Sequence, residues 1–180
     1  MALTDGLIAY WKLDEPSGTT ADDAVLTYDG TISGATLNLS GQINTAFSFA
    51  AGYVDMTNNS ALNPTNVSVQ AWIKCTGTVA GHIFTREYSD YTGPYDLYVA
   101  ANKVRAFTSS NTPTNTFADI GAAGTQNDNA WHHCVLTIDN AYLNLYVDNV
   151  GTSAAWTRKS LLYSVKTLAG AMYYGGTPGY

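Results

Sequence analysis

The side chains able to do chemistry in this sequence are few and widely spaced. Glutamate occurs twice, at Glu15 and Glu87. Acid/base cleavage of a glycosidic bond needs two carboxyl groups held at a set separation. Glu15 sits in a turn pattern and Glu87 in a different loop, and no strand pattern alternates Glu or Asp. No Gly-x-Ser-x-Gly elbow occurs. His132-His133 stands beside Cys134, but neighbours in a strand point to opposite faces, so the two imidazoles cannot share one metal from one strand. An enzyme is therefore not expected. What remains is contact chemistry: flat rings for the apolar faces of sugars, and fixed polar groups for their hydroxyls. The polar loop 86–95 carries Arg86, Tyr88, Tyr91 and Tyr95, and Trp156 with Arg158 lies further on. Binding residues gather on loops, so these six are the candidate ligand contacts. Trp11, Trp72 and Trp131 fall inside strand patterns and are expected to be packing residues.

The elements that must position these residues are strands. Charged residues make up 12% of the 180 positions, against about a quarter in ordinary globular proteins. With 13 Tyr, 16 Gly and two Glu, almost no polar helical face can be written. Residues 7–13 read as a first strand, stopped by Asp14-Glu15-Pro16-Ser17-Gly18. Residues 19–44 read as polar and turn-rich, followed by short strands at 46–49 and 53–56. Residues 67–74 alternate clearly, with Val67, Val69, Ala71 and Ile73 on one face and Ser68, Gln70, Trp72 and Lys74 on the other. Strands follow at 82–85, 95–100 and 104–108, the last two joined by a tight turn at Asn102-Lys103. A long loop over 109–130 holds one extended piece near 117–120. A second hairpin pairs 131–139 with 142–148, and 168–174 is a last apolar run. Turns every eight to twelve residues between such strands predict two stacked antiparallel sheets in a single domain over residues 1–180.

Net charge is −6 and the pI about 4.7, with the eight basic residues scattered. Nucleic acid and membrane insertion are not expected, since one needs clustered Lys and Arg and the other a long apolar run. The N-terminus shows no basic segment followed by an apolar stretch, so no signal peptide is visible.

Four blocks in order resemble laminin-G-like jelly-roll domains of the concanavalin A-like lectin/glucanase superfamily. They are residues 6–18, residues 46–49 with 53–56, residues 67–74, and residues 131–139 with Leu145-Tyr146-Val147-Asp148-Asn149. The resemblance spans about residues 6–150 and implies an all-β, two-sheet antiparallel jelly-roll sandwich. It also implies a closing apolar strand where the chain ends at Tyr180. Either the sequence stops short of that strand or a neighbouring chain supplies it, which makes a homo-oligomer or strand exchange an expected partner arrangement. The family's calcium loop corresponds to Asp22 and Asp23, although the segment Ala24-Val25-Leu26-Thr27-Tyr28 departs from the usual Ser, Gly and Asn. Glucanases of the superfamily carry two Glu and an Asp on one strand face, and no such set occurs here. Pentraxins, distant relatives, join the strands matching 67–74 and 132–138 by a disulfide. Cys134 matches one partner, but the other falls at Gln70. Cys75 lies roughly 17 Å further along a strand and, by parity, on the opposite face from that partner position, so both thiols are expected to be free. The expected function is non-catalytic recognition of a glycan or protein surface, outside the cell or on a virion. The alternative is a structural virion component, a capsid decoration or tail-fibre module packing against other subunits, favoured by the Met1 start and the missing strand. A glycoside-active enzyme is the remote third.

Overall fold

The computed structural model describes residues 5–25, 28–50, 52–56, 58–77, 80–86, 93–110, 116–157, 167–170, 172–174 and 177–179. In chain order the strands are β1 (Thr20–Ala21), β2 (Gly30–Ser33), β3 (Thr36–Ser40), β4 (Thr45–Ser48), β5 (Tyr53–Asp55), β6 (Val67–Thr76), β7 (Gly81–Arg86) and β8 (Tyr95–Ala100). They continue as β9 (Lys103–Ser110), β10 (Thr116–Gly121), β11 (Asp128–Ile138), β12 (Tyr142–Val147), β13 (Val150–Ala155), β14 (Leu168–Ala169), β15 (Met172–Tyr174) and β16 (Thr177–Gly179). Among the described residues the helical content is a 3-10 turn at Ser60–Leu62.

Two antiparallel sheets face each other. One has the order β1-β2-β5-β14-β7-β8-β9-β10 and the other β13-β12-β11-β6; β3 pairs with β4 and β15 with β16 outside them. Alternation puts Leu97, Val104 and Ala106 of the larger sheet against Leu136, Leu143 and Leu145 of the smaller, all fully buried. Each such leucine contributes roughly 1.5–3 kcal/mol by leaving water. A second apolar cluster, around Ala21, Ile32, Val54 and Met56, joins the N-terminal segment to the larger sheet.

Tight turns set the register of the smaller sheet. Asp148 (φ 49°) and Asn149 (φ 69°) make a two-residue turn that places Val147 opposite Val150. Asp139 accepts the N–H groups of Ala141 and Tyr142 through Oδ1, closing the β11–β12 hairpin. The β8–β9 turn uses Ala101 (φ 51°) and Asn102 (φ 65°), one residue earlier than the sequence predicts.

The expected first strand at 7–13 does not form a ladder. Trp11 makes one bridge to Asp23, Tyr10 gives its N–H to the Asp23 carboxylate, and Leu13 turns to φ 55°, a left-handed conformation that departs from extended backbone. The segment 19–44, expected as turns, instead holds β1, β2 and β3. Thr is strand-compatible, and β1 and β2 are short strands that each alternate exposed Thr or Ser with a core residue, Ala21 or Ile32. The long loop expected at 109–130 is narrower, because β9 reaches Ser110 and β11 begins at Asp128. The run 168–174 breaks at Gly170 (φ 88°), where a Cβ would meet the Phe49 ring at 2.6 Å. Its first part, β14, threads between β5 and β7. Among the described residues β6 pairs with β11 alone.

Candidate functional site

One face of the four-stranded sheet packs on the core and the other meets solvent. On β6, Val67, Val69, Ala71, Ile73 and Cys75 are half-buried while Ser68, Gln70, Trp72, Lys74 and Thr76 are exposed. The register carries the exposed set across the sheet in rows. Ser153 opposes Asn144, Asn144 opposes Thr137, and Thr137 opposes Ser68. The next row is Gly151, Tyr146, Val135 and Gln70. Then His133 opposes Trp72, and Trp131 opposes Lys74. Tyr142, opposite Ala155, stands at the far end of β12.

This face interleaves rings with neutral polar groups. Trp72 and Tyr146 are each 42% exposed and Tyr142 is 50% exposed. Ser153 Oγ donates to Asn144 Oδ1 at 2.7 Å, and Asn144 Nδ2 donates to Thr137 Oγ1 at 3.1 Å. The ladder holds the amide in one orientation and leaves the Thr137 hydroxyl hydrogen pointing onward. The Trp72 ring lies 5.1 Å from that of His133, and the Lys74 ammonium 5.4 Å from the centre of the Trp131 ring. Gly151 seats the Tyr146 ring, since a Cβ there would meet Tyr146 Cε1 at 2.9 Å.

Next to this face, His132 is clamped between two carboxylates. Its Nδ1 meets Asp148 Oδ2 at 2.6 Å and its Nε2 meets Asp128 Oδ1 at 3.0 Å. Burial would lower the His132 pKa, but the hydrogen bonds to Asp148 and Asp128 outweigh it and raise it. Asp148 and Asp128 are held below the usual carboxylate value, chiefly by the same bonds. Asp148 Oδ1 also accepts the His133 N–H at 2.9 Å, so the clamp ties the β12–β13 turn to the middle of β11, where His133 opposes Trp72.

The sequence-predicted contacts that fall among the described residues lie elsewhere, and for them the expectation is corrected. Arg86 and Tyr95 are the inner ends of β7 and β8 and are buried. Arg86 donates to Thr167 Oγ1 at 2.7 Å and Asn58 Oδ1 at 2.9 Å, and Tyr95 donates to the Leu62 carbonyl. Strand pairing of Arg86 with Tyr95 pulls both inside, so neither offers a surface to a ligand. Trp156 is buried against the core rather than exposed. Tyr88, Tyr91 and Arg158 lie outside the described residues. Asp23 is buried and occupied, accepting N–H groups from Tyr10 (2.8 Å), Val25 (3.1 Å) and Tyr28 (3.3 Å). Asp22 is exposed, and its N–H goes to Glu15. Among the described residues no group of three or more His, Cys, Asp or Glu is arranged to hold a metal ion.

The packing role expected for the tryptophans holds for Trp11, which stacks near Phe84 and donates its indole N–H to the Tyr28 carbonyl. It fails for Trp72, whose place beside Ser68, Gln70 and Lys74 in the alternation already puts it on the polar face. The two thiols are free. Their placement differs from the expectation: Cys134 opposes Ala71, so Cys75 shares its face and stands four residues along. Burial pushes the Cys134 thiol up to about 12.

A laminin-G-type model described as the concanavalin A-like lectin/glucanase superfamily matches residues 48–179. The chain belongs to that superfamily. The match starts later than the first resembling block and runs through the C-terminal segment. Solved structures with the concanavalin A-like fold of this chain include the binding domain of Paraclostridial Mosquitocidal Protein 1, at TM-score 0.64 and 10% identity, covering 78% of this chain and 39% of that one. The receptor-binding domain of botulinum neurotoxin D superposes at TM-score 0.63 and 15% identity over 90% of this chain and 44% of that one. A structure of botulinum neurotoxin type C, whose cell entry depends on interaction with two ganglioside molecules, gives TM-score 0.59 and 13% identity over 90% of this chain and 42% of that one. The chain therefore spans less than half the length of these relatives, and the likeness establishes the fold alone. No curated protein matches the sequence.

Proposed function

We propose that this chain is a non-catalytic recognition domain that holds a glycan-bearing surface outside the cell through the outer face of its four-stranded sheet. One observation carries this reading: Trp72, Tyr142 and Tyr146 stand exposed on the same face as the Ser153–Asn144–Thr137 ladder. Rings left open to water cost hydration free energy, and three of them on one sheet face, set among fixed hydroxyl and amide groups, favour a surface that is covered in use. A sugar presents apolar C–H faces and a rim of hydroxyls, which match a ring beside a hydroxyl or amide. The face carries no pair of opposed carboxylates, so it is suited to holding a glycosidic bond rather than cleaving it. The family assignment and the binding domains among the structural relatives support recognition as the class of activity.

A glycan array with the wild-type chain and a Trp72→Thr/Tyr146→Thr variant tests the reading. Threonine keeps strand propensity at both outward positions while removing the rings. Signals that the variant loses at unchanged melting temperature are expected. A folded wild-type chain that binds no glycan would overturn the glycan reading and leave the face to a protein partner.

A further inference from the structure

Resting on that reading, we infer that the ligand is an uncharged oligosaccharide spanning several sugar units along the sheet, rather than one terminal acidic sugar.

The first ground is span. Trp72 and Tyr146 are two strands apart, on β6 and β12, and offset by two residues through the His133–Trp72 and Val135–Tyr146 pairs. At 4.8 Å between strands and 3.4 Å per residue this separates their backbone positions by about 12 Å. Tyr142 lies four residues from Tyr146 on β12, about 14 Å away on the same scale. One hexose cannot lie on two of these rings at once, whereas an extended chain can place successive units on each.

The second ground is charge. The rows of the face are Ser, Asn, Thr, Gln, Gly, Val and aromatic residues, with one cation, Lys74, already drawn over the Trp131 ring. Asp148 and Asp128 lie at its border and the whole chain carries −6. Among the described residues of the face, a carboxylate-bearing sugar would meet a negative border and no arginine fork, which is the group that recognises a carboxylate in two places. A neutral chain meets no such repulsion. The third ground is the polarity of the ladder. With Asn144 fixed by Ser153 and Thr137, the remaining Asn144 N–H and the Thr137 hydroxyl are donors that can serve the ring and hydroxyl oxygens of a chain lying across the rings.

Affinity electrophoresis of the wild-type chain, Trp72→Thr and Tyr146→Thr in gels containing hydroxyethylcellulose, xylan or galactomannan tests this. Free sialyllactose and the constituent monosaccharides serve as competitors. The expected result is retardation by at least one neutral polymer and a loss of roughly tenfold or more in affinity for each variant. Monosaccharides should compete at least a hundredfold less well than a hexasaccharide of the same polymer. Retardation abolished by sialyllactose, with the variants inactive, would keep the recognition face and overturn the neutral-chain inference. A monosaccharide competing as well as the hexasaccharide would overturn it likewise. Retardation that both variants retain would remove the sheet face as the site, and with it this inference. No retardation by any of the polymers would also overturn it, while array signals lost in the ring-deleted variant would still leave the broader recognition reading standing.

Discussion

Gly151→Ala separates the integrity of the fold from the integrity of the proposed face. The Tyr146 ring lies over Gly151, and a Cβ at position 151 would stand 2.9 Å from Cε1 and 3.0 Å from Cδ1, where ordinary contact begins at 3.4 Å. The ring must therefore lift by about 0.5 Å at its near edge. It has room, because its other side faces solvent at 42% exposure. Tilting a ring away from its preferred rotamer costs about 0.5–1.5 kcal/mol. Against that, alanine in place of glycine lowers the entropy of the unfolded chain, a gain of about 0.4–1 kcal/mol where the backbone conformation suits both. Gly151 is not among the positive-φ residues, so alanine suits it. The two terms nearly cancel, and the melting temperature should move by less than about 4 °C for a domain of this size. The face should respond far more. A ring tilted off the plane it shares with Asn144 and Gln70 offers a poorer seat, and affinity for a retarding neutral polymer should fall several-fold. Proton NMR gives a readout that needs no ligand: the Gly151 α-protons, under the Tyr146 ring, should be shifted upfield in the wild type and return toward ordinary values in Tyr146→Thr. Unshifted α-protons, or a Gly151→Ala chain that melts more than 10 °C lower, would refute the account of Tyr146 as a ring seated on a glycine and free to move.

Three further outcomes concern the clamp and the N-terminal loop. His132→Asn should lower the melting temperature by a few degrees at most, because both carboxylate partners are about half exposed and screened by water. The depressed Asp128 and Asp148 contribute above their unfolded pKa near 3.8 and lose that contribution as pH falls through their folded values, whereas the raised His132 contributes below 6.5 and loses it as pH rises through its folded value. The difference between wild type and variant should therefore peak between about pH 4 and 6.5, and a difference that grows steadily above pH 8 in thermal melts would contradict the clamp. Asp23→Ala should cost about 2 kcal/mol or more by stranding the N–H groups of Tyr10, Val25 and Tyr28, measured by urea denaturation. Since those N–H groups already occupy the Asp23 oxygens, calcium at millimolar concentration should leave the wild-type melting temperature unchanged against chelator, and a rise of several degrees would show a calcium site there.

Much of the candidate site is legible in the sequence, though not at the residues that loop polarity points to. Alternation over 67–74 sets Trp72 beside Ser68, Gln70 and Lys74, and alternation over 142–148 sets Tyr142 and Tyr146 beside Asn144 and Asp148. Both patterns name the outer face, but a tryptophan inside a strand reads as core because of its size. The loop 86–95 stands out through its tyrosines, yet Arg86 and Tyr95 close the ladder between β7 and β8 and turn inward. Polarity suggests a loop there, and polarity does not show where a strand ends.

Local sequence determined the strand periods, the hairpin turn at Asn140-Ala141, the shortage of acid/base pairs and the low charge, whereas the Asp148-Asn149 turn and strand β13 emerged from the structure. The former depend on residues adjacent along the chain, so sequence alone states them. Only the tertiary structure decided that β6, β11, β12 and β13 lie side by side in the register that lines up Trp72, Tyr146 and the Ser153–Asn144–Thr137 ladder. It also decided that Asp23 spends its oxygens on backbone N–H groups and that His132 bridges Asp128 and Asp148. The β6–β11 pairing, like the Tyr10–Asp23 and His132–Asp148 bonds, joins residues well separated in the chain, and the strand partners are chosen by core burial on the opposite face. The outward residues gain their neighbours as a consequence of packing they do not take part in.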